Sequence, residues 1–193
     1  MIVKRNEVIL LKKEKSELVE WLKAIVIGAI FAIAIHTFIF TPISVQGASM
    51  MPTYEDGDRV IVNKISSDFE RFDIIVFKAT ESENYIKRII GIPGDHVEYK
   101  DDELYINGKK YEEPYLEQYK SQLKDNGDLT FDFKLEEIMG FSYIPEGYYF
   151  VLGDNRRVSN DSRNPGVGLI SNDEILGKAS IRFYPIDSIG LVK

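Results

Sequence analysis

The sequence predicts a mainly β fold, an antiparallel sheet domain that follows one N-terminal membrane-spanning helix. Two observations lead to this fold class. The first is an uncharged apolar run of 17 residues, 24–40, and the second is a series of short β-branched and aromatic segments separated by turn residues. A chain of 193 residues is long enough to bury a core as one domain, and without cysteine its fold does not depend on disulfides.

The apolar run has the properties of a membrane anchor, which we assign to residues 21–41. Seventeen uncharged residues are at the short end of what crosses about 30 Å of hydrocarbon. Trp21 and Lys23 suit the membrane interface. The lysines upstream predict that residues 1–20 stay in the cytoplasm and that residues 42–193 form an extracytoplasmic β-rich domain.

A cleavable signal peptide is the alternative interpretation of the same segment, because the small residues Gly47 and Ala48 follow it. The long basic region argues against cleavage. The apolar run also exceeds the usual length of about 7–15 residues in a signal peptide. An uncleaved anchor is therefore the prediction.

Seven segments after the anchor have the composition of strands. They are RVIVNKI (59–65), FDIIVFKA (72–79), NYIKRIIGI (84–92), DHVEYK (95–100), ELYING (103–108), GYYFVLG (147–153) and GKASIRFYP (177–185). Alternation on both sides of Asp101-Asp102 predicts a hairpin over residues 96–108. Residues 112–144 mix acidic, aromatic and polar side chains, and we expect an excursion from the sheet with a short helix at 135–139.

Charge and composition exclude several classes of function. Residues 1–41 carry a net charge of +2 and the remainder −9, and this acidic body argues against nucleic-acid binding, which needs a basic face. Thiol catalysis and thiolate metal sites are excluded because there is no cysteine. With two histidines in the chain, a multi-histidine site is not expected either. We expect neither a metal nor a cofactor.

Ser49, in the segment GASMMPT, is a candidate nucleophile at the end of the anchor, although it also fits a linker without chemistry. A hydroxyl becomes a good nucleophile only when a base removes its proton. His96 is the one histidine outside the apolar run. A Ser–His pair therefore stays open, but no GxSxG elbow supports it.

Lys87 is the second candidate base, because it lies in the apolar segment NYIKRIIGI. By period two, Lys87 shares one face with Tyr85 and Ile89, and Arg88 lies on the other, so one of the two charges is expected to face inward. Burial lowers the pKa of a lysine and leaves it neutral enough to accept a proton, whereas arginine is not deprotonated in proteins. The alternative is that Lys87 is an edge-strand charge that prevents aggregation.

The segment LGDNRRVSNDSRNPGVG, residues 152–168, concentrates acids and arginines at close spacing. This pattern favours an ordered loop that Asp–Arg pairs hold together, over a plain solvated loop. The residues concerned are Asp154, Arg156, Arg157, Asp161 and Arg163.

Four segments in this order after one anchor resemble the type I signal peptidases in their short Gram-positive form. They are GASMMPT (47–53), GDRVIVNK (57–64), YIKRIIGIPGD (85–95) and GDNRRVSNDSR (153–163), and the resemblance covers nearly the whole chain. It implies a mainly β peptidase domain with an antiparallel sheet, in which Ser49 is the nucleophile and Lys87 the general base.

The resemblance also implies roles for the surrounding residues. The backbone N–H of Ser49 is the oxyanion donor, and Gly47 stands where some members carry a hydroxyl. Ser159 supports the lysine. Asp161 and Arg163 form an ion pair beside the site, and Asp154 and Arg156 hold the loop. The residues expected to line pockets for small substrate side chains are Val45, Met50, Tyr54, Tyr85 and Ile86.

The implied function is removal of N-terminal signal peptides from secreted preproteins at A-x-A type sites by a single-pass cell-membrane protein whose catalytic domain is extracytoplasmic. Its partners would be the preproteins, the bilayer and, transiently, the secretion machinery. Three alternatives stay open: a cytoplasmic self-cleaving repressor with Ser–Lys chemistry, a non-catalytic assembly factor, and an anchored β domain that only binds. The anchor opposes the first, Ser49 with Lys87 the second, and the four ordered segments the third.

Overall fold

The computed structural model describes residues 17, 19–33, 37, 39–124 and 127–192. The chain divides into two compact units, Met1–Phe40 and Thr41–Lys193. In the first unit, residues 19–33 are helical (α1). Within the described part of the chain, no helix combines the length and the apolar character needed to cross a bilayer. The predicted anchor at 21–41 includes residues outside the described ones. Most of the predicted cytoplasmic segment 1–20 also lies outside them.

Twelve strands occur among the described residues. They are β1 Phe40–Ser44, β2 Arg59–Asn63, β3 Ile74–Lys78, β4 Asn84–Gly91, β5 Val97–Lys100, β6 Glu103–Ile106, β7 Lys109–Tyr111, β8 Phe133–Lys134, β9 Tyr148–Leu152, β10 Ile170–Ser171, β11 Ile175–Tyr184 and β12 Gly190–Leu191. All seven segments predicted as strands are therefore confirmed as strands. The last two residues of the predicted anchor, 40–41, are extended, because β1 begins at Phe40.

The strands form two sheets. The larger has the order β1-β2-β11-β3-β4-β9-β10, with β12 beside β11, and the smaller has the order β7-β6-β5-β8. The pairs around β4 are antiparallel: Lys87 lies opposite Ile75 of β3, and Arg88 opposite Leu152 of β9. This confirms the predicted mainly β, antiparallel fold class, although the sequence did not separate the two sheets.

The smaller sheet contains the predicted hairpin. Lys100 of β5 pairs with Glu103 of β6, so Asp101 and Asp102 form a two-residue loop, with φ of 51° and 59°. Positive φ at both positions gives the loop the twist that matches the flanking strands, and aspartate tolerates this conformation better than most residues.

Residues 112–144 are an excursion with structure of its own. It contains a 3₁₀ turn at Pro114–Leu116, helix α2 at Glu117–Ser121 and helix α3 at Leu135–Met139, so the predicted helix at 135–139 is confirmed. Helix α3 ends where Gly140 adopts a left-handed conformation with φ 77°, as glycine commonly does at a helix C-terminus.

An apolar cluster packs the two sheets against each other. Val97 and Leu104 from the smaller sheet and Ile90, Phe150 and Leu152 from β4 and β9 are all fully buried in it. Gly91 allows this close packing, since a Cβ there would collide with side chains of the cluster. The position of the strand that carries Lys87 is therefore fixed by a core that the two sheets share.

Candidate active site

Ser49 lies in a tight turn that follows β1. The Met51 N–H donates to the Ala48 carbonyl at 3.2 Å, and the Tyr54 N–H donates to the Met50 carbonyl at 2.9 Å. Within the described residues the Ser49 backbone N–H makes no hydrogen bond. The turn therefore presents both the Ser49 hydroxyl and an unused backbone donor at the same point.

The side chains of Ser49 and Lys87 meet although they are 38 residues apart in the sequence. Lys87 Nζ lies 2.8 Å from Ser49 Oγ and donates to the Ile86 carbonyl at 3.0 Å. Only 3% of Lys87 is exposed. Burial lowers the pKa of the Lys87 amino group to about 8, and the negative charges of Asp161 and Asp154 oppose that shift. A neutral amine within hydrogen-bond distance of a serine hydroxyl is able to accept its proton.

Arg88 is buried as completely as Lys87, which corrects the expectation that only one of the two charges faces inward. Both faces of β4 are covered, because Ile90 packs in the apolar cluster shared with the smaller sheet and Ile89 packs in a second buried cluster. Arg88 Nε and Nη2 bind the two carboxylate oxygens of Asp154 at 2.9 and 2.6 Å. Its guanidinium also lies 3.8 Å from the ring centroid of Tyr115. The opposite face of β4 thus carries a compensated charge, and Lys87 has no ion-pair partner of this kind within the described residues.

The loop after β9 is ordered by the acids and arginines that the sequence singled out. Arg163 binds both oxygens of Asp161 at 2.8 Å, and Asp161 accepts the Gly153 N–H at 3.0 Å. Arg156 donates to the Gly153 carbonyl at 3.0 Å and to Glu113 at 2.6 Å. Asp154 pairs with Arg88, as described above. The ordered loop held by Asp–Arg pairs is confirmed, with Arg88 as a partner that the local sequence did not indicate.

Ser159 has a buried hydroxyl without a hydrogen-bond partner among the described residues. Its side chain and the Ser49 carbonyl both pack against Gly153, where a Cβ would collide with each of them. Gly153 therefore lets the loop approach the Ser49 turn closely. The structure contains no hydrogen bond from Ser159 to Lys87, so its support of the lysine stays a prediction.

Ser49 and Lys87 lie in an open cleft of about 690 Å³ in the second unit. Among the residues expected to form substrate pockets, Val45, Tyr85 and Ile86 line this cleft. Met50 and Tyr54 do not: both are fully buried, in one apolar cluster with Val45 and Ile86. They pack beneath the cleft, and a short turn sequence does not reveal which of its apolar side chains point inward.

His96, the alternative base, has other partners. Its Nε2 lies 2.7 Å from Glu136 of α3, and its ring stacks edge-on with Tyr143. His96 is not among the residues that line the cleft. In the structure the side chain within hydrogen-bond distance of Ser49 Oγ is that of Lys87, and His96 is bound elsewhere.

Two polar residues of the site escaped the sequence analysis. Asn155 contacts the Ser49 turn through its backbone and its side chain, and Tyr119 of α2 contacts Asn155. Asn155 belongs to the GDNRRVSNDSR segment, which was the available signal. Nothing local distinguishes Tyr119, because its contact with Asn155 spans 36 residues.

Comparison with known proteins agrees with this site. The family model described as signal peptidase, peptidase S26, matches residues 18–184. The chain is 47% identical over 177 residues to signal peptidase I of Bacillus caldolyticus, covering 90% of this chain and 93% of the relative. It is 44% identical over 178 residues to signal peptidase IB of Staphylococcus aureus, covering 89% and 92%. A crystal structure of a signal peptidase I from Enterococcus faecalis is similar with a TM-score of 0.54 and 44% identity, covering 57% of this chain and 96% of the other.

Fold, site and comparisons together define the class: this protein is a serine endopeptidase, a hydrolase. More narrowly, the chain belongs to the signal peptidase family, peptidase S26.

Proposed function

We propose that the chain is a membrane-anchored endopeptidase that removes N-terminal signal peptides from secreted preproteins after small residues, with Ser49 as nucleophile and Lys87 as general base. The observation that carries the proposal is the 2.8 Å distance between Ser49 Oγ and the buried Lys87 Nζ in an open cleft. The named relatives support the substrate class, since they are signal peptidases.

The reaction follows from this geometry. Neutral Lys87 accepts the Ser49 proton as Oγ attacks the scissile carbonyl, and the oxyanion accepts a hydrogen bond from the Ser49 N–H. The resulting ammonium protonates the leaving amine, which releases the mature protein and leaves an acyl-enzyme. Lys87 then deprotonates a water that attacks the ester, and collapse of the second intermediate returns the proton to Ser49.

Substrate binding as an added strand is supported by the pairing of β4. β9 begins to pair with β4 at Arg88, so residues 84–87 have no strand on that side among the described residues. Ser44 and Val45 line the same cleft as this edge. An extended peptide bound there would use main-chain hydrogen bonds, and alternate side chains would face the apolar residues Val45 and Ile86.

Anchoring is proposed from the sequence of residues 24–40. An uncharged run of 17 residues with lysines before it supports a single pass with a cytoplasmic N-terminus and an extracytoplasmic catalytic domain. In that topology the cleft works where the signal peptide leaves the bilayer, and the partners are the preprotein, the lipid and, transiently, the secretion machinery.

Cleavage of a secreted preprotein by the purified full chain in detergent tests the proposal. Wild type should release the mature protein, and mass spectrometry should locate the new N-terminus directly after an A-x-A segment. Ser49→Ala should lower the rate by at least about 10³-fold, since a methyl group replaces the nucleophile. Ser66→Ala is the control, because that hydroxyl donates to the Asp68 carbonyl in an exposed loop and does not line the cleft.

If wild type cleaves no preprotein with a signal peptide, the alternative of a non-catalytic, membrane-anchored assembly or binding factor replaces the proposal. If Ser49→Ala still cleaves, another group is the nucleophile.

The pH dependence of cleavage should follow the titration of Lys87. Because only the neutral amine accepts a proton, kcat/KM should rise about tenfold from pH 6 to pH 7 and level off above a pKa of about 8. A flat profile, or a midpoint near the histidine value of about 6.5, would contradict this assignment of the base. Initial rates on one peptide substrate across this range provide the measurement.

A further inference from the structure

Asn155 holds the Ser49 turn through two hydrogen bonds. Its backbone N–H donates to the Ser49 carbonyl at 3.0 Å, and its side-chain Nδ2 donates to the Ala48 carbonyl at 3.1 Å. Only 5% of Asn155 is exposed, so these bonds compete little with water. The loop after β9 is therefore joined to the Ser49 turn at the two peptide groups that flank the Ser49 Cα.

The bond from Asn155 to the Ala48 carbonyl, together with the Met51 N–H that donates to the same carbonyl, fixes the direction of the Ser49 N–H. The Ala48 carbonyl and the Ser49 N–H belong to one planar trans peptide group, so they point in opposite directions. When Asn155 holds the carbonyl from one side, the N–H is aimed to the other, and it makes no hydrogen bond within the described residues. This N–H is the donor that the proposed mechanism assigns to the oxyanion.

Tyr119 completes the hydrogen bonding of the Asn155 amide. Since a carbonyl only accepts, the Ala48 bond requires Nδ2 on that side and leaves Oδ1 on the other. The Tyr119 hydroxyl donates to this Oδ1 at 2.8 Å. Without the hydroxyl, a largely buried acceptor would be unsatisfied, which favours rotation of the amide toward water and away from Ala48.

Helix α2 holds Tyr119 in place because the segment before it is tied to the same loop. Glu113 accepts hydrogen bonds from Arg156 at 2.6 Å, from Tyr115 at 2.6 Å and from Tyr99 at 2.7 Å. The excursion at 112–144 is thus linked to the loop after β9 both at Arg156 and at Asn155.

We propose that Tyr119 is a positioning residue, which acts through the Asn155 amide to orient the Ser49 N–H toward the oxyanion. The proposal rests on the function proposed above. It assigns a role in catalysis to the excursion at 112–144, which the sequence left without one. The carbonyl oxygen of the substrate gains its full charge only in the transition state, so the effect should appear in kcat and not in KM.

Tyr119→Phe tests this proposal because it removes one hydroxyl and keeps the ring. Loss of an oxyanion donor in other enzymes costs about 10²–10³-fold in kcat, and a donor that is only misoriented should cost less, about tenfold. We expect that decrease with KM within about twofold of wild type. A peptide aldehyde, which forms a tetrahedral adduct with serine, should bind more weakly by the same factor as kcat falls. The pH midpoint should not move, because Lys87 keeps its contacts.

Asn155→Asp and Tyr105→Phe are the matched variants. Asn155→Asp keeps the shape but has no donor for Ala48, so its kcat should fall at least as far as that of Tyr119→Phe. Tyr105→Phe loses a hydroxyl bond of 3.0 Å to Glu103 in the smaller sheet, and its kcat should equal wild type.

Each outcome separates the two proposals. If wild type cleaves and Tyr119→Phe has an unchanged kcat, or a raised KM with unchanged kcat, the positioning role is overturned and the proposed function stands. If kcat falls but aldehyde affinity does not, Tyr119 does not act on the oxyanion donor. If wild type cleaves nothing, the proposed function fails and this role with it.

Discussion

Lys87→Met should abolish signal peptide cleavage, with kcat/KM at least about 10³-fold below wild type. General base catalysis typically contributes about 10²–10⁴-fold, and a thioether does not accept the Ser49 proton. Methionine has a similar length and is apolar, which suits a position where only 3% of the lysine is exposed, so the fold should persist. Because Ser49 and Lys87 act as a unit, the double variant Ser49→Ala with Lys87→Met should be no slower than either single variant.

Three variants make this result specific to the buried amine. Lys87→Arg keeps the positive charge, but a guanidinium is not deprotonated in proteins and so does not accept the Ser49 proton; this variant should be as inactive as Lys87→Met. Lys78→Met removes an exposed lysine at the end of β3 and should retain wild-type activity. His96→Ala should also remain active, because His96 pairs with Glu136. Activity in Lys87→Met together with loss in His96→Ala would mean that the base is misassigned.

The fold was predictable from the sequence where local chemistry decides it. The seven strand segments, the turn at Asp101-Asp102 and helix α3 all follow from β-branched runs, turn residues and short-range pattern. Five strands were not predicted, namely β1, β7 and the two-residue strands β8, β10 and β12. Two residues are too few for a pattern of alternation to be recognised in the sequence. The separation into two sheets is likewise a consequence of packing around residues such as Phe150 and Val97, which local propensity does not reveal.

In the candidate site, too, some residues were predictable from the sequence and others were not. Local sequence made Ser49 and Lys87 candidates, and the resemblance of the four ordered segments to the signal peptidases selected them. The structure brings Ser49 Oγ and Lys87 Nζ to 2.8 Å. The full burial of Arg88 was not predicted. Alternation with period two places Lys87 and Arg88 on opposite faces of the strand but does not indicate whether both faces are covered. Asn155 and Tyr119 were missed since their contacts span 107 and 36 residues. Sequence reasoning thus finds the reacting groups more readily than the residues that orient them.

The Arg88–Asp154 pair is a charge pair in the interior of the fold. Both side chains are fully buried, and two hydrogen bonds of 2.9 and 2.6 Å join them. Arg88 also donates to the Phe72 carbonyl at 2.9 Å. Removal of one partner leaves the other charge without compensation in an apolar interior, and this cost exceeds the net contribution of the intact pair.

Asp154→Ala should therefore lower the free energy of unfolding by about 3–5 kcal/mol. Urea denaturation of the full chain in detergent, followed by far-UV circular dichroism, provides the measurement. The double variant Arg88→Met with Asp154→Leu should recover much of this loss, because it leaves no buried charge unpaired. Lys110→Ala is the control: it breaks an ion pair of 2.6 Å with Glu103 in which both side chains are exposed to solvent, so the urea midpoint should scarcely move. Equal destabilisation by Asp154→Ala and Lys110→Ala would show that burial does not determine how much the Arg88–Asp154 pair contributes to stability. A large loss in Asp154→Ala that the double variant restores would identify the unpaired buried charge as its cause.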